Sequence, residues 1–63
     1  MKFIKLTYAD DMVTFVNVQF IIAFERPTDA NLTQVVFQGA VEFTEVKETP
    51  MEILNRINRA DTI

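Results

Sequence analysis

Several kinds of residue that supply chemistry in proteins are missing from this chain. Among its 63 residues there is no cysteine and no histidine, which excludes disulfides, thiolate or imidazole metal sites and an imidazole general base. Serine is also absent, so nucleophilic triads in their ordinary forms are excluded. The single glycine, Gly39, cannot form a glycine-rich phosphate loop. The sequence therefore predicts a protein that is not an enzyme, with no catalytic residue, no metal site and no cofactor.

The composition is that of one small globular domain. Hydrophobic residues make up 49% of the chain and charged residues 24%, which is too apolar for a disordered segment. A core in a chain this short rarely contributes more than about 3–5 kcal/mol. We predict a single domain over residues 1–60 and a tail over residues 61–63.

Charge and hydropathy bear on location and on partners. The formal net charge is −3, which disfavours a nucleic-acid backbone as the main partner. The densest apolar stretch, residues 12–24, is interrupted by Thr14, Asn17 and Gln19. It falls short of the roughly 20 apolar residues that a spanning helix needs. We expect no membrane insertion, and cytoplasm is the default location.

Alternating apolar and polar residues predict a mainly β (α+β) fold with about five short antiparallel strands. We expect a strongly curved sheet or a small open barrel, with one C-terminal helix. An alternative to separate second and third strands is one long bent strand over residues 12–24, in which Asn17 is the kink. The predicted strands cover residues 2–8, 12–17, 18–25 and 33–38, and a segment that begins at Val41.

Turns separate these strands. Asp10 and Asp11 predict the turn of a first hairpin, because aspartate tolerates left-handed backbone and bonds its own main chain. Residues 26–31, which include Pro27, form the clearest loop. Gly39 is predicted at positive φ in a second hairpin turn.

The strongest local signal is a helix start at Thr49. Thr49 as N-cap, Pro50 at the first helical position and Glu52 reaching back form a capping box. Ile53, Leu54 and Ile57 then recur at helical spacing and predict one apolar stripe, which must pack on the sheet. The helix is expected to end near Ala60.

The predicted core combines that stripe with one face of each strand. Glu42, Thr44 and Glu48 are instead assigned to the solvated side. The predicted core residues are Phe3 or Ile4, Leu6, Val13, Phe15, Phe20, Ile22, Phe24, Val35, Phe37, Val41, Phe43, Val46, Ile53, Leu54 and Ile57.

Residues 12–24 carry more apolar side chains than one sheet face buries. The second face must therefore be covered by the C-terminal helix, by curling of the sheet into a small barrel or by another subunit. We expect a symmetric homo-oligomer, with a dimer favoured, that buries this excess. Edge strands at residues 2–8 or 33–38 offer a second route to association. The candidate interface residues are Val16, Val18, Ile21 and Ala23.

The order of these signals resembles a small bacterial family, the flagellar FlbD (SwrD) proteins and their unassigned bacterial and phage relatives. The likeness extends from about residue 3 to residue 57, and residues 46–53 are its most specific part. It implies a small, non-enzymatic, cytoplasmic protein connected with motility in flagellated bacteria. A weaker likeness is to CsrA, whose RNA-contacting arginines have no counterpart in this chain.

Two functional hypotheses follow from these observations. The first is a small protein that acts by protein–protein interaction, through self-association, partner docking or both. The alternative is a nucleic-acid-binding regulator, CsrA-like or of phage type, in which some of the six phenylalanines stack on bases.

Overall fold

The computed structural model describes residues 2–60 of the chain. As predicted, the fold is mainly β, with five antiparallel strands and one C-terminal helix. The predicted tail, residues 61–63, lies outside the described residues. The elements are β1 (Phe3–Thr7), β2 (Val13–Asn17), a 3-10 helix (Val18–Phe20), β3 (Ile21–Glu25), β4 (Thr33–Phe37), β5 (Thr44–Val46) and α1 (Pro50–Arg59).

The first sheet is the predicted hairpin of β1 and β2, which pair with Leu6 opposite Thr14. The turn between them matches the sequence signal. Asp11 adopts a φ of 72°, and the Asp10 carboxylate accepts a 3.1 Å hydrogen bond from the Met12 amide, which is the local bonding that favours aspartate in turns.

The second sheet has the order β3–β4–β5, with β4 in the centre. A bulge interrupts the pairing of β3 between Ile21 and Ala23. The two sheets meet where Tyr8 forms a single bridge with Val46 and the Lys47 amide donates to the Thr7 carbonyl at 2.8 Å. Within residues 2–60 the strands form two sheets and no closed barrel.

Two strand boundaries differ from the prediction. The segment after Asn17 is not extended: Val18–Phe20 is a 3-10 helix, because the Asn17 side chain accepts from the Gln19 amide at 3.0 Å and caps a turn. Gly39 has the predicted positive φ, 84°, but the strand that follows begins at Thr44 and not at Val41. The second hairpin connection is therefore longer than the two-residue turn that the sequence suggested.

The fully buried apolar core is small. Its members come from β1, β4, β5 and α1, so the helix packs over the meeting point of the two sheets. The buried apolar residues are Ile4, Leu6, Val35, Val46 and Ile53.

Part of the predicted core is wrong. On β2 the inward residues are Thr14 and Val16, so Val13 and Phe15 face outward. The prediction followed the bulk of the side chains, whereas the pairing with Ile4 and Leu6 decides the inner face. Of the two alternatives at the first strand, Ile4 is buried and Phe3 is exposed. The other predicted core residues that are exposed are Phe20, Ile22, Val41, Phe43 and Leu54.

The helix begins with the predicted capping box. The Glu52 amide donates to Thr49 Oγ1 at 3.1 Å, and the Thr49 amide donates to the Glu52 carboxylate at 2.9 Å. Pro50 occupies the first turn, where its missing amide hydrogen costs nothing. Ile53 is buried and Ile57 is packed against the core, so the helix lies on β1 by a narrower stripe than the one predicted.

Candidate functional site

Glu48 is buried at the meeting point of the two sheets, with only 5% of its side chain exposed. Its carboxylate accepts hydrogen bonds from the Thr7 amide and the Thr7 hydroxyl, both at 2.8 Å. Arg56, on the helix, donates to the same carboxylate at 2.5 Å. The assignment of Glu48 to the solvated side of a strand is therefore wrong, because its partners lie 41 and 8 residues away.

The backbone next to Glu48 is held from the opposite side by β4. The buried Thr33 hydroxyl donates to the Glu48 carbonyl at 2.5 Å and accepts from Arg26 Nε at 3.2 Å. Arg26 also donates to the Lys47 carbonyl at 3.0 Å. We call Glu48, Thr7, Arg56, Thr33 and Arg26 the Glu48 junction.

The electrostatics of the junction favour an ionised carboxylate. Burial by itself raises the pKa of Glu48, but the hydrogen bonds from Thr7 and Arg56 outweigh it, so the pKa is lowered from its ordinary value near 4.5. Every buried polar side-chain atom among the described residues has a hydrogen-bond partner. The junction is thus a satisfied polar link between β1, β4 and α1, and its groups are already engaged.

Glu52, in the capping box, also has a pKa below its ordinary value. The cause is the hydrogen bond from the Thr49 amide, followed by the one from the Thr49 side chain. The group is exposed, and its bonds serve the helix start. Thr49, Pro50 and Glu52 are therefore structural residues, as the sequence indicates, and Gly39 serves a turn in the same way.

The largest apolar exposure on the hairpin lies on its outer side. Phe15 is 67% exposed, Val13 49% and Phe3 39%, and Lys5 stands directly opposite Phe15 across the two strands. We call Phe3, Lys5, Val13 and Phe15 the hairpin outer face. Apolar side chains grouped in this way on a small domain commonly mark an interaction site.

The candidate interface residues do not lie on this face. Val16, Val18 and Ile21 are half-buried and pack against the core, and Ala23 is exposed on β3. Of these four residues only Val16 lies on β2, on the side opposite Phe15, so the hairpin outer face is a second candidate surface beside the predicted one. Val16 pairs with Ile4 and Thr14 pairs with Leu6, so these two residues of β2 share the inner face of β1 and their neighbours face outward. This assignment can be made only when the register of the hairpin is known.

An open groove of about 490 Å³ lies on the inner side, where the two sheets diverge. Its apolar walls carry a rim of amide and hydroxyl groups, so it is suited to an amphipathic surface more than to a fully enclosed ligand. The lining residues are Tyr8, Val16, Asn17, Phe20, Phe37, Gln38 and Thr44.

The chain matches no protein-family model, no curated protein and no solved structure. In the part of the chain that the structure describes, no helix is long and apolar enough to cross a membrane. Residues 2–60 also bring together no group of three or more side chains of the kinds that bind metals.

Proposed function

We propose that this chain is a small non-enzymatic protein that acts by binding other protein chains, including copies of itself. The observation that carries the proposal is the hairpin outer face. Phe15 is one of the most exposed large apolar side chains among residues 2–60. It lies with Val13 on a strand whose second side has no strand neighbour in the described part of the chain. An exposed strand edge beside an apolar face is a ready template for another chain.

The small size of the core supports the same proposal. Among residues 2–60, five apolar residues are buried, whereas ten large apolar side chains are exposed. Covering a few hundred Å² of this surface is worth several kcal/mol at about 25 cal/mol per Å², before the entropy of association is subtracted. That gain is comparable to the whole stability expected of the domain.

Sedimentation equilibrium over the micromolar range tests the proposal. We expect species heavier than 7.3 kDa at high concentration, and a melting temperature that rises with concentration. A species of 7.3 kDa throughout, with a melt that does not depend on concentration, would contradict self-association.

The resemblance to the FlbD (SwrD) family adds a setting to this proposal, a cytoplasmic protein connected with bacterial motility. Deletion of the gene in its own host, with swarming scored against growth rate, tests the setting. Normal swarming after deletion would remove the motility role and leave the binding role standing.

One observation favours the alternative, a nucleic-acid-binding regulator. Lys5 lies between Phe3 and Phe15 on the hairpin outer face, and aromatic rings next to a cation on an open sheet can stack on bases. The opposing observation is the net charge of −3. Titration with mixed RNA and DNA oligomers at two salt concentrations separates the two functions, since binding to phosphates weakens steeply with salt.

A matched pair of variants sharpens that titration. Lys5→Glu removes the cation of the hairpin outer face, while Lys47→Glu makes the same charge change beside Asp11, with which Lys47 forms an ion pair. Nucleic-acid binding that is lost in Lys5→Glu and kept in Lys47→Glu would support the alternative. Absence of salt-sensitive binding in the unmodified protein would reject it.

A further inference from the structure

The hydrogen-bonding pattern of the hairpin shows which backbone groups of β2 point away from β1. The Tyr8 amide donates to the Met12 carbonyl, and hydrogen-bonded and non-hydrogen-bonded pairs alternate along an antiparallel ladder. Thr14 and Val16 therefore bond to β1. The N–H and C=O groups of Val13 and Phe15 point to the outer edge, where the described residues provide no partner for them.

The outer edge of β2 also lacks the features that protect edge strands. Natural edges are commonly shielded by a charge, a proline or a bulge. Val13–Asn17 contains none of these. The other free edge, β3, has the bulge between Ile21 and Ala23, and it ends at Glu25, just before Pro27. Within residues 2–60, the edge of β2 is therefore more open to pairing than the edge of β3.

We propose that β2 pairs antiparallel with β2 of a second copy of this chain, about a two-fold axis at Phe15. This inference rests on the proposed function and names the surface and the register of the self-association. Phe15 is the middle residue of the five-residue strand, and in this register its outward N–H and C=O groups face those of Phe15 in the second copy. The product is a continuous four-stranded sheet, β1–β2–β2–β1.

The charges of the hairpin suit this pairing. β2 carries no charged residue, so no like charges come together across the new ladder. The acidic turn of one copy, at Asp10 and Asp11, lies toward one end of the second copy's hairpin. At that end Lys2 of the second copy immediately precedes β1. The two copies of Lys5 are about 14 Å apart, three strand spacings, and beyond the screening length of about 8 Å at physiological salt.

The same pairing buries part of the hairpin outer face. In this register the two Phe15 side chains are directly opposite each other on one face, so each ring covers the other. Cross-strand aromatic pairs of this kind stabilise sheets. A second copy supplies this ring by symmetry. A strand of a different protein would compete for the same edge, and this outcome is detected by the test below.

Single cysteines test the register, because the chain has none of its own. Two residues that face each other in a hydrogen-bonded pair have Cα atoms about 5.5 Å apart, within disulfide range. In Phe15→Cys the two thiols meet at the axis. In Val13→Cys they are about 14 Å apart along the strands, four residues at about 3.4 Å each. Ile22→Cys places the thiol on the exposed face of β3 as a second control.

We expect mild oxidation to convert Phe15→Cys to a disulfide dimer at least tenfold faster than Val13→Cys or Ile22→Cys. Equal rates in the three variants would overturn the register. Because loss of the Phe15 ring can itself weaken association, sedimentation of Phe15→Lys and Ile22→Lys provides an independent readout. The inference requires loss of association in Phe15→Lys alone.

These outcomes separate the inference from the proposed function. If the unmodified chain associates and both lysine variants still associate, the β2 edge is wrong and self-association stands. If Ile22→Lys alone loses association, the interface lies on β3. If the unmodified chain is monomeric and a foreign strand is captured at β2 instead, the second copy is the wrong occupant. If the unmodified chain is monomeric and β2 captures nothing, the inference fails together with self-association.

Discussion

The two edges of the β1–β2 hairpin differ in what the rest of the chain does with them. Along β1 three outward backbone groups are bound: the Lys5 carbonyl accepts from Arg56 at 2.8 Å, the Thr7 amide donates to Glu48 at 2.8 Å, and the Thr7 carbonyl accepts from the Lys47 amide at 2.8 Å. Along β2 the corresponding groups of Val13 and Phe15 have no partner among the described residues. The segment that follows β5 therefore closes part of the β1 edge of the hairpin and leaves the β2 edge open.

This comparison corrects the expected location of the free edges. Residues 2–8 and 33–38 were the predicted edge strands, but β4 is the central strand of its sheet. β1 is an edge strand of its two-stranded sheet, as predicted, but part of its outer side is closed by the single Tyr8–Val46 bridge and by the Glu48 junction. A closed edge needs several precise partners, and in this domain those partners come from residues distant in sequence.

The largest expected loss of stability comes from removing Glu48, which holds the outer edge of β1. Glu48→Ala removes the acceptor of the Thr7 amide and hydroxyl and leaves Arg56 with the Lys5 carbonyl but without its carboxylate partner. It should lower the free energy of unfolding by about 2–4 kcal/mol. Urea unfolding followed by circular dichroism measures this loss. Glu45→Ala, an exposed residue on the neighbouring strand β5, is the matched control and should change stability by less than about 0.5 kcal/mol. Equal effects of the two substitutions would contradict the role of the junction.

Acid is expected to remove part of the stability that Glu48 contributes. The folded-state pKa of Glu48 lies below its ordinary value near 4.5, so its contribution to stability is complete above that pH. The contribution is lost as the pH falls through the lower, folded-state pKa, because the unfolded chain binds the proton more readily. Unfolding measured from pH 7 to pH 3 should show this loss.

Glu48→Gln provides the control for the acid experiment, because it keeps the size of the side chain and removes the titrating group. The difference in stability between the unmodified chain and Glu48→Gln should shrink below the ordinary glutamate pKa. A difference that stays constant over this range would show that folding does not lower the pKa of Glu48.

A smaller loss of stability is expected from removing the N-cap of the helix that positions Arg56 beside β1. Thr49→Ala removes the acceptor of the Glu52 amide and should cost about 0.5–2 kcal/mol. Helical ellipticity should fall more than the signal from the strands. Thr49→Ser keeps the hydroxyl and should restore most of the loss. An unchanged melting temperature in Thr49→Ala would contradict the capping box as a stabilising element.

The smallest effect on folding is expected at the open edge. Phe15→Thr replaces the ring with a small β-branched side chain that suits a strand, and because Phe15 is 67% exposed it should change the stability of the monomer by about 0.5 kcal/mol or less. Thermal melts at low concentration measure the monomer, whereas melts at high concentration should show a loss. A large destabilisation at low concentration would mean that Phe15 packs within its own chain.

Local signals account for the parts of the fold that the sequence predicts well. The capping box at Thr49, the left-handed turn residue Asp11 and the positive φ of Gly39 depend on side chains within three residues of each other. The alternation in β1 likewise predicts Leu6 in the core together with Phe3 or Ile4, of which Ile4 is the buried one. Each of these is decided by backbone sterics or by one short hydrogen bond, so neighbouring residues are sufficient.

The features that matter for the candidate site are decided over longer distances. Bulk alone favours Phe15 over Val16 for the core, but pairing with β1 turns Val16 inward and Phe15 outward. Glu48 has the sequence neighbourhood of an exposed residue, yet Thr7 and Arg56 bury and ionise it. The sequence by itself determined the strands, the turns and the start of the helix. Only the tertiary structure decided which face of β2 is exposed and which hairpin edge is open, because both depend on residues brought together from opposite ends of the chain.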